Sequence, residues 1–518
     1  MLAVCILLRI WSPGRVGLGQ DEAQFLGVSA MDSSRSIIAF LYAHESHPPL
    51  LYLVAHVMAL VGLAPMAAMS ALLLAASVAT IVAAWWLASL SGLRWAGLCA
   101  GLTVGGSMPL IIYSVQLRPY SLVSLLLLTS VAALVQGHRT GARTWKAVWA
   151  ASLLLLLYIH HLGILIAAAE VAAAALVGIR RGVLRAWGGW WFAVVLLSVP
   201  DALLAVHQSR IAGYPVAVAL DLFRPIRQFV ALCWAYPAEL LVPTVAVIAL
   251  VWRWARTPRT AQADPYFGLL GMTLLGLLLL LVMAAYRSGL LVTHVLLAVA
   301  PLGGVVAGVV VADCFARGRR VAGIVWIEAL LTAGAVGVLW GIGFAKTNID
   351  ITGGYINAEA GARDLILVAP GAIGPTLGRG LSRPLSQINY PIAGGVRVFP
   401  FDHEFTRMSA SLPLTATLDS LTAVCNRGSR VWFVSPAPWR LSHNAPAVLT
   451  AAGFGGSIQS SWARASYLHE ALLARFGPPK RMSLADSTSR GMEMVRWELF
   501  GLPDTVTGAA LPLRCQQP

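Results

Sequence analysis

The sequence predicts an α-helical polytopic membrane protein of about eleven spans that ends in an α/β domain outside the membrane. Three observations predict it. Of 518 residues, 58% are hydrophobic and only 11% are charged, against roughly 25% charged in a soluble domain. Apolar windows long enough for a hydrocarbon core of about 30 Å follow one another up to Phe344. After Lys346 the apolar density drops, and Gly, Pro, Asn and Ser rise. This composition, with a mean hydropathy of +0.75, excludes a soluble globular enzyme, a disordered chain, a collagen-like repeat and a disulfide-stapled small domain.

The windows run in order. Met1 to Trp11 is apolar but half the needed length and has no basic flank before it, so the start reads as truncated or misassigned rather than as a signal peptide. Spans follow at Met66 to Leu90, Trp95 to Val115, Pro119 to Gln136, Ala147 to Tyr158 and His161 to Ile179. The later ones are Trp187 to Val206, Pro237 to Trp254, Tyr266 to Tyr286, Leu290 to Ala312 and Val321 to Phe344. Pro48 to Val61 is shorter, opens with Pro-Pro and contains His56; by length it fits a re-entrant or interfacial helix as well as a span.

Charge decides that window. The net charge is +15, which on an apolar chain reports topology rather than nucleic-acid binding. Five loops are rich in Lys and Arg: Arg94; Arg139, Arg143 and Lys146; Arg180, Arg181 and Arg185; Arg253, Arg256 and Arg259; Arg317, Arg319 and Arg320. If the first window crosses outward and Pro48 to Val61 does not span, all five face the cytoplasm, as the positive-inside rule requires. The segments left on the outer face are Ser12 to Pro65, the turn Gln116 to Tyr120, the turn Tyr158 to His161, the loop His207 to Tyr236 and the turn at Arg287.

Residues 346–518 then form an extracytoplasmic unit, and residues 1–345 the membrane unit. Short β-rich runs lie at Asp364 to Pro370, Arg430 to Pro436 and Met492 to Phe500, with a helical pattern over Ser466 to Phe476. Continuous apolar strands between helices predict an α/β sheet buried on both faces. No GxGxxG, P-loop or metal-ligand spacing occurs there, so the expectation is a structural or acceptor-handling unit. Of six cysteines, Cys425 and Cys515 belong to it, and a bridge between them is allowed in an oxidising compartment.

The candidate chemistry gathers on the outer face. Asp21-Glu22 is either a solvated acidic pair capping an interfacial helix or a catalytic pair. Its neighbours in the sequence-derived topology are Glu45-Ser46-His47-Pro48-Pro49-Leu50-Leu51-Tyr52, the turn with Arg118 and Tyr120, and the pair His160-His161. A carboxylate can act as general base on a hydroxyl while Arg and His hold a phosphate leaving group. Proline after Arg118 pushes its backbone extended and starts the next helix at Pro119. Snorkelling to headgroups is the alternative for Arg118 and Arg287, and an interfacial hydrogen-bonded pair is the alternative for the histidines. Adjacent histidines rarely share one ion, so no metal site is assigned. Glu170 and Glu328 lie inside apparent spans, where a charge usually faces protein; both read as helix–helix contacts.

The order of these motifs resembles the GT-C membrane glycosyltransferases: a short first span, an outer Asp-Glu, His-Pro-Pro-Leu-Leu-Tyr, Arg-Pro-Tyr at a helix start, and Tyr-Ile-His-His-Leu-Gly. Within them it is closest to the protein O-mannosyltransferases, lipid A aminoarabinose transferase and the rhizobial lipopolysaccharide galacturonosyltransferases, over roughly Met1 to Ala312. The resemblance implies that Asp21 is the catalytic carboxylate, with Glu22 its acidic neighbour. It puts His47 beside the donor phosphate and His161 where some relatives place a phosphate-binding lysine. Arg118 stands where some branches have an acidic residue, which argues against an acid-held metal.

The reading is therefore an inverting glycosyltransferase of the bacterial cytoplasmic membrane that uses a polyprenyl-phosphate sugar. Its site residues are Asp21 and Glu22 as catalytic groups, with His47, Arg118, Tyr120, His160, His161 and Arg287 on the donor phosphate. The acceptor is a glycan, a glycolipid or a protein; membrane lipids are partners and nucleic acid is not. No cofactor is firmly implied, and a divalent cation stays open. The rivals are a lipid or glycan transporter, which calls for paired broken helices and internal repetition, and a non-catalytic envelope-assembly subunit, which calls for loss of the acid at Asp21.

Overall fold

The computed structural model describes residues 2–11, 18–45, 47–114, 116–181, 185–211, 229–230, 240–256, 264–288, 296–321, 323–328, 332, 347–390, 392–393, 412–436, 457–482 and 495–501. The chain divides into two compact units. One takes residues 1–13, 47–207 and 216–342, and the other takes 14–46, 208–215 and 343–518.

The first unit is helical. Among the described residues, five helices are long and apolar enough to cross a membrane: Pro65–Ser89, Tyr120–Thr140, Arg185–Gln208, Tyr266–Met283 and Leu297–Ala316. Shorter apolar helices include Leu50–Leu60, Ala96–Gly105, Leu162–Gly178 and Val242–Trp252. Leu50–Leu60 has 11 residues. At about 1.5 Å per residue it covers about half of a hydrocarbon core. The window from Trp95 to Val115 is not one helix. It breaks into Ala96–Gly105 and Met108–Tyr113, because Gly105-Gly106 weakens the helix and Pro109 cannot donate to the preceding turn. The window Val321 to Phe344 and the loop His207 to Tyr236 lie mostly outside the described residues.

Small residues and buried polar contacts hold these helices together. Gly304 and Gly308 of Leu296–Ala316 face Ala96–Gly105, where a Cβ on Gly308 would lie 2.4 Å from the Ala100 nitrogen. That spacing is the small-xxx-small packing by which backbones approach without an apolar driving force between helices. Glu170 is fully buried; it accepts from Trp149 Nε1 at 2.8 Å and meets Ser130 Oγ at 2.5 Å, so it bolts three helices. This is the polar helix–helix contact expected for Glu170. Glu328, in contrast, is exposed rather than packed against a helix. At one end of the bundle, Arg139 makes a two-pronged contact with Asp264 and donates to Leu90 O at 2.7 Å. Lys146 holds its ammonium over the Trp187 ring, 5.4 Å from the centroid, and donates to Ala186 O at 3.0 Å.

The second unit is built on a six-stranded sheet of order β3-β2-β1-β4-β6-β5. The strands are β1 (Leu365–Val368), β2 (Ser386–Asn389), β3 (Ile392–Ala393), β4 (Val431–Pro436), β5 (Arg481–Met482) and β6 (Val495–Phe500). The centre is parallel, with Leu365 opposite Ser386 on one side and Val431 on the other; β4 and β6 are antiparallel, Val431 opposite Phe500. Alternation sends Leu365, Leu367 and Phe433 to one face, against Leu421, Leu468 and Leu472. It sends Ile366, Val368 and Trp432 to the other, against Ile349, Ile356 and Leu377. Both faces are covered, which is why these strands read as continuous apolar runs. The helix expected over Ser466 to Phe476 begins earlier, at Ser457. Cys425 is a free buried thiol, and Cys515 lies outside the described residues.

Candidate functional site

Asp21 and Glu22 sit in the second unit, on helix Gln20–Ser29. Gly19 is the N-cap in extended backbone, and the Glu22 carboxylate reaches back to accept from its N–H at 2.8 Å. That is the returning half of a capping box. Glu22 is buried at 3% exposure, while Asp21 one position earlier is exposed. The two adjacent acids thus have separate jobs: Glu22 closes the helix start, and Asp21 presents a carboxylate at the positive end of the helix. The helix packs on Gly374–Gly380 of the sheet unit, so the acidic pair belongs to the same body as the sheet.

Three expected residues meet in the first unit. His160 ends helix Arg143–Ile159 in extended backbone, and its Nδ1 accepts from the Leu162 N–H at 3.1 Å. This Asx-like local bond fixes the ring against the turn. The ring lies 5.7 Å from His47, edge-on at 87°, and 5.7 Å from Tyr120, tilted by 42°. Tyr120 in turn meets Tyr113 edge-on at 5.0 Å. His47, His160, Tyr120 and Tyr113 form one continuous row of rings, each with an apolar face and a polar tip.

Arg118 is buried at 7% exposure in the turn that leads to Tyr120. Its N–H donates to Gln116 O at 2.7 Å, and Pro119 caps Tyr120–Thr140, with Val123 donating to Pro119 O at 2.9 Å. The helix therefore starts where the Arg-Pro step predicts. Arg287 lies near the end of helix Tyr266–Ser288, but its side chain is outside the described residues.

His161 brings in a residue that sequence reasoning missed. Its Nδ1 is 3.6 Å from the Asp201 carboxylate, which is fully buried. Asp201 follows Pro200 inside helix Arg185–Ile211. Tyr158 donates to Leu197 O at 2.8 Å beside that proline. A lone acid in an apolar run is itself a signal, one applied to Glu170 but equally present at Asp201. Among the described residues, no group of three His, Cys, Asp or Glu side chains gathers as a metal site.

No known protein family matches the chain by sequence, and neither does any curated protein. Solved structures do match. Oligosaccharyltransferase AglB from Archaeoglobus fulgidus, in complex with an inhibitory peptide and a dolichol-phosphate, aligns with 90% of this chain and 71% of its own at 9% identity, TM-score 0.52. The A. fulgidus oligosaccharyltransferase tethered with an acceptor peptide gives the same coverages and identity with a TM-score of 0.53. ArnT from Cupriavidus metallidurans, bound to undecaprenyl phosphate, aligns with 87% of this chain and 93% of its own at 14% identity, TM-score 0.49. The AglB likeness shows that the chain shares the fold of that oligosaccharyltransferase, in line with the fold expected from the order of its motifs. At such identity a fold carries no substrate with it.

Proposed function

We propose that the chain is an inverting glycosyltransferase that moves a sugar from a polyprenyl-phosphate donor to a hydroxyl of a cell-envelope glycan, glycolipid or protein. The observation that carries this reading is the row His47, His160, Tyr120 with Arg118 in the adjoining turn. It offers cationic and hydrogen-bonding groups for a phosphate beside aromatic surface for an isoprenoid chain. The GT-C fold is consistent with it, and AglB's complex with dolichol-phosphate gives the chemistry a precedent on that fold.

In the proposed step, Asp21 takes the proton of the acceptor hydroxyl. The freed oxygen attacks the anomeric carbon from the side opposite the phosphate, and the bond from that carbon to the phosphate oxygen breaks in the same displacement. The electron pair leaves with the polyprenyl phosphate, whose added charge Arg118 and His161 stabilise. Asp201 acts on His161 by orienting the imidazole. Glu22, engaged with Gly19, serves the helix rather than the proton. In this reading the chain crosses a bacterial inner membrane about eleven times, with the sheet unit on the outer side.

The test is a lipid inventory. Cells lacking the chain accumulate one polyprenyl-phosphate sugar, and one envelope glycan loses that sugar. Unchanged pools of both contradict the reading. A transporter would instead shift the donor between leaflets with its total unchanged.

A further inference from the structure

Each strand in the parallel centre of the sheet is entered past a cation. Arg363 stands two residues before β1, Arg383 three before β2, and Arg427 and Arg430 in the turn that opens β4. Because β1, β2 and β4 are parallel, these residues share one edge of the sheet. Antiparallel β6 ends at that edge, opposite Val431, and β5 starts there with Arg481 opposite Leu499, directly after Lys480. Helices Gly374–Gly380 and Ser457–Phe476 finish toward it as well, with Arg379 and Arg475 in their last turns.

Contacts tie the row together. Arg383 donates to Asn357 O at 2.5 Å and Ala360 O at 2.9 Å, and Arg430 to Glu359 O at 2.7 Å. Both thus cap the last carbonyls of helix Ile349–Glu359, an ordinary use of cations at a helix C-terminus. Arg475 reaches Thr422 of the neighbouring helix at 3.3 Å. Two carboxylates lie among the cations: Asp364 binds Arg430 at 2.8 Å, and Glu359 binds Arg481. Capping and ion pairs explain only part of the charge. Among the described residues, eight cations stand against those two carboxylates at this edge, and Arg363, Arg379, Arg383, Arg427 and Arg475 are exposed. From β2 to β5 the edge is four strand spacings wide, about 19 Å. That is too wide for one phosphate or carboxylate and takes several charges at once.

The row also lies far from where the chain enters the unit. Asn348, at the entry, accepts from the Val495 N–H at 2.7 Å and donates to Val495 O at 2.8 Å. Val495 pairs with Pro436 at the opposite edge of the sheet. Helix Ile349–Glu359 then runs 11 residues, about 16 Å, to the cations. With the last span ending at Phe344, a bilayer surface at the entry is about two Debye lengths away at physiological salt, where attraction to headgroups has faded.

We infer that this edge is a docking surface for a polyanionic envelope glycan, one carrying phosphate or carboxylate groups along its chain. The inference takes from the reading above only the outer position of the sheet unit and does not need the glycosyl transfer. Seven of the eight cations are arginines, whose planar fork grips either oxyanion.

The test uses the full chain in phosphatidylcholine nanodiscs, with polygalacturonate and phosphorylated dextran as probes and plain dextran as comparator. The wild type binds at least one polyanion and not dextran, and raising the ionic strength from about 0.01 M to about 1 M weakens binding at least about tenfold. Arg363→Gln with Arg427→Gln removes two exposed charges; it weakens binding about tenfold, or about 1.4 kcal/mol, and melts with the wild type. Arg363→Lys with Arg427→Lys restores most of the affinity. Arg319→Gln with Arg320→Gln removes as much charge from an exposed loop of the helical unit and leaves binding unchanged. If the first glutamine pair melts early, Arg427→Glu alone carries the comparison. Equal losses from both glutamine pairs reduce the effect to net charge and overturn the surface, as does a wild type that binds neither polyanion. Displacement by phosphatidylglycerol vesicles of equal charge makes the edge a membrane contact and overturns the glycan. Polyanion binding in a chain whose loss leaves the lipid inventory unchanged upholds the edge and overturns only the transferase.

Discussion

His161 Nδ1 and the buried carboxylate of Asp201 stand 3.6 Å apart, joining the His-His turn to the middle of another helix. Asp201→Asn keeps the volume and removes the charge. It lowers kcat/KM about fivefold, a loss of about 1 kcal/mol, mainly in kcat, because in the proposed step the imidazole acts as the leaving phosphate gains charge. Asp201→Glu recovers part of the loss. A purely structural role would instead lower thermal stability and leave the kcat-to-KM split unmoved.

Glu170 gives a sharper stability test. Glu170→Gln retains an oxygen for Trp149 Nε1 and a donor for Ser130, and unfolds within about 0.5 kcal/mol of wild type. Glu170→Leu leaves both partners without it inside the bundle and costs about 1–2 kcal/mol. Thermal unfolding in detergent, read by tryptophan fluorescence, separates the two. Equal melting of both variants contradicts the bolt.

Gly308 marks a close backbone contact between two helices. Gly308→Leu puts side-chain carbon where the Ala100 nitrogen already sits, 2.4 Å from the first added atom. The helices must part, at about 3 kcal/mol or more. Gly189→Ala, with nothing within 4 Å of its Cβ position, is the control and melts with the wild type.

Asp364 predicts a pH dependence in the sheet unit. Burial pushes its carboxyl up, but hydrogen bonds from Arg430, Trp432 Nε1 and the Gly361 and Arg430 amides outweigh that and hold it below the usual range. A depressed folded value stabilises fully above the unfolded value of about 3.9 and is lost as pH falls through the folded value. Protection factors for hydrogen exchange over β1 and β4 in the full chain, taken relative to the slower intrinsic exchange in acid, therefore fall as the pH drops for the wild type. Asp364→Asn exchanges faster at neutral pH and shows no further acid step.

Much of the helical unit is written in local composition. The windows from Met66, Pro119 and Tyr266 are helices because length and apolarity suffice to name a buried helix. The break at Gly106 was legible as well, in Gly105-Gly106 and Pro109, but hydropathy averages over it. Strands β1 and β4 could be read because a parallel sheet covered on both faces leaves unbroken apolar runs. The ring row could not. His47, Tyr120 and His160 each carry a local signal, whereas their meeting is long-range and leaves no spacing rule. Arg9 and Asp201 were visible as lone charges in apolar runs, yet only packing shows that one caps a broken helix and the other faces His161. Nothing in composition tells that residues 14–46 cluster with the sheet unit.

The most direct measurement follows polyprenyl phosphate release by purified chain in nanodiscs, given a lipid-linked sugar fraction and an envelope acceptor fraction. Asp21→Asn keeps the carboxylate's shape without its basicity, and Asp21 is exposed, so the fold persists. The wild type is expected to release polyprenyl phosphate in step with acceptor modification. Asp21→Asn, folded and still binding the donor, slows by roughly 10²–10⁴. A folded Asp21→Asn variant that releases polyprenyl phosphate at the wild-type rate would contradict the proposed role of Asp21.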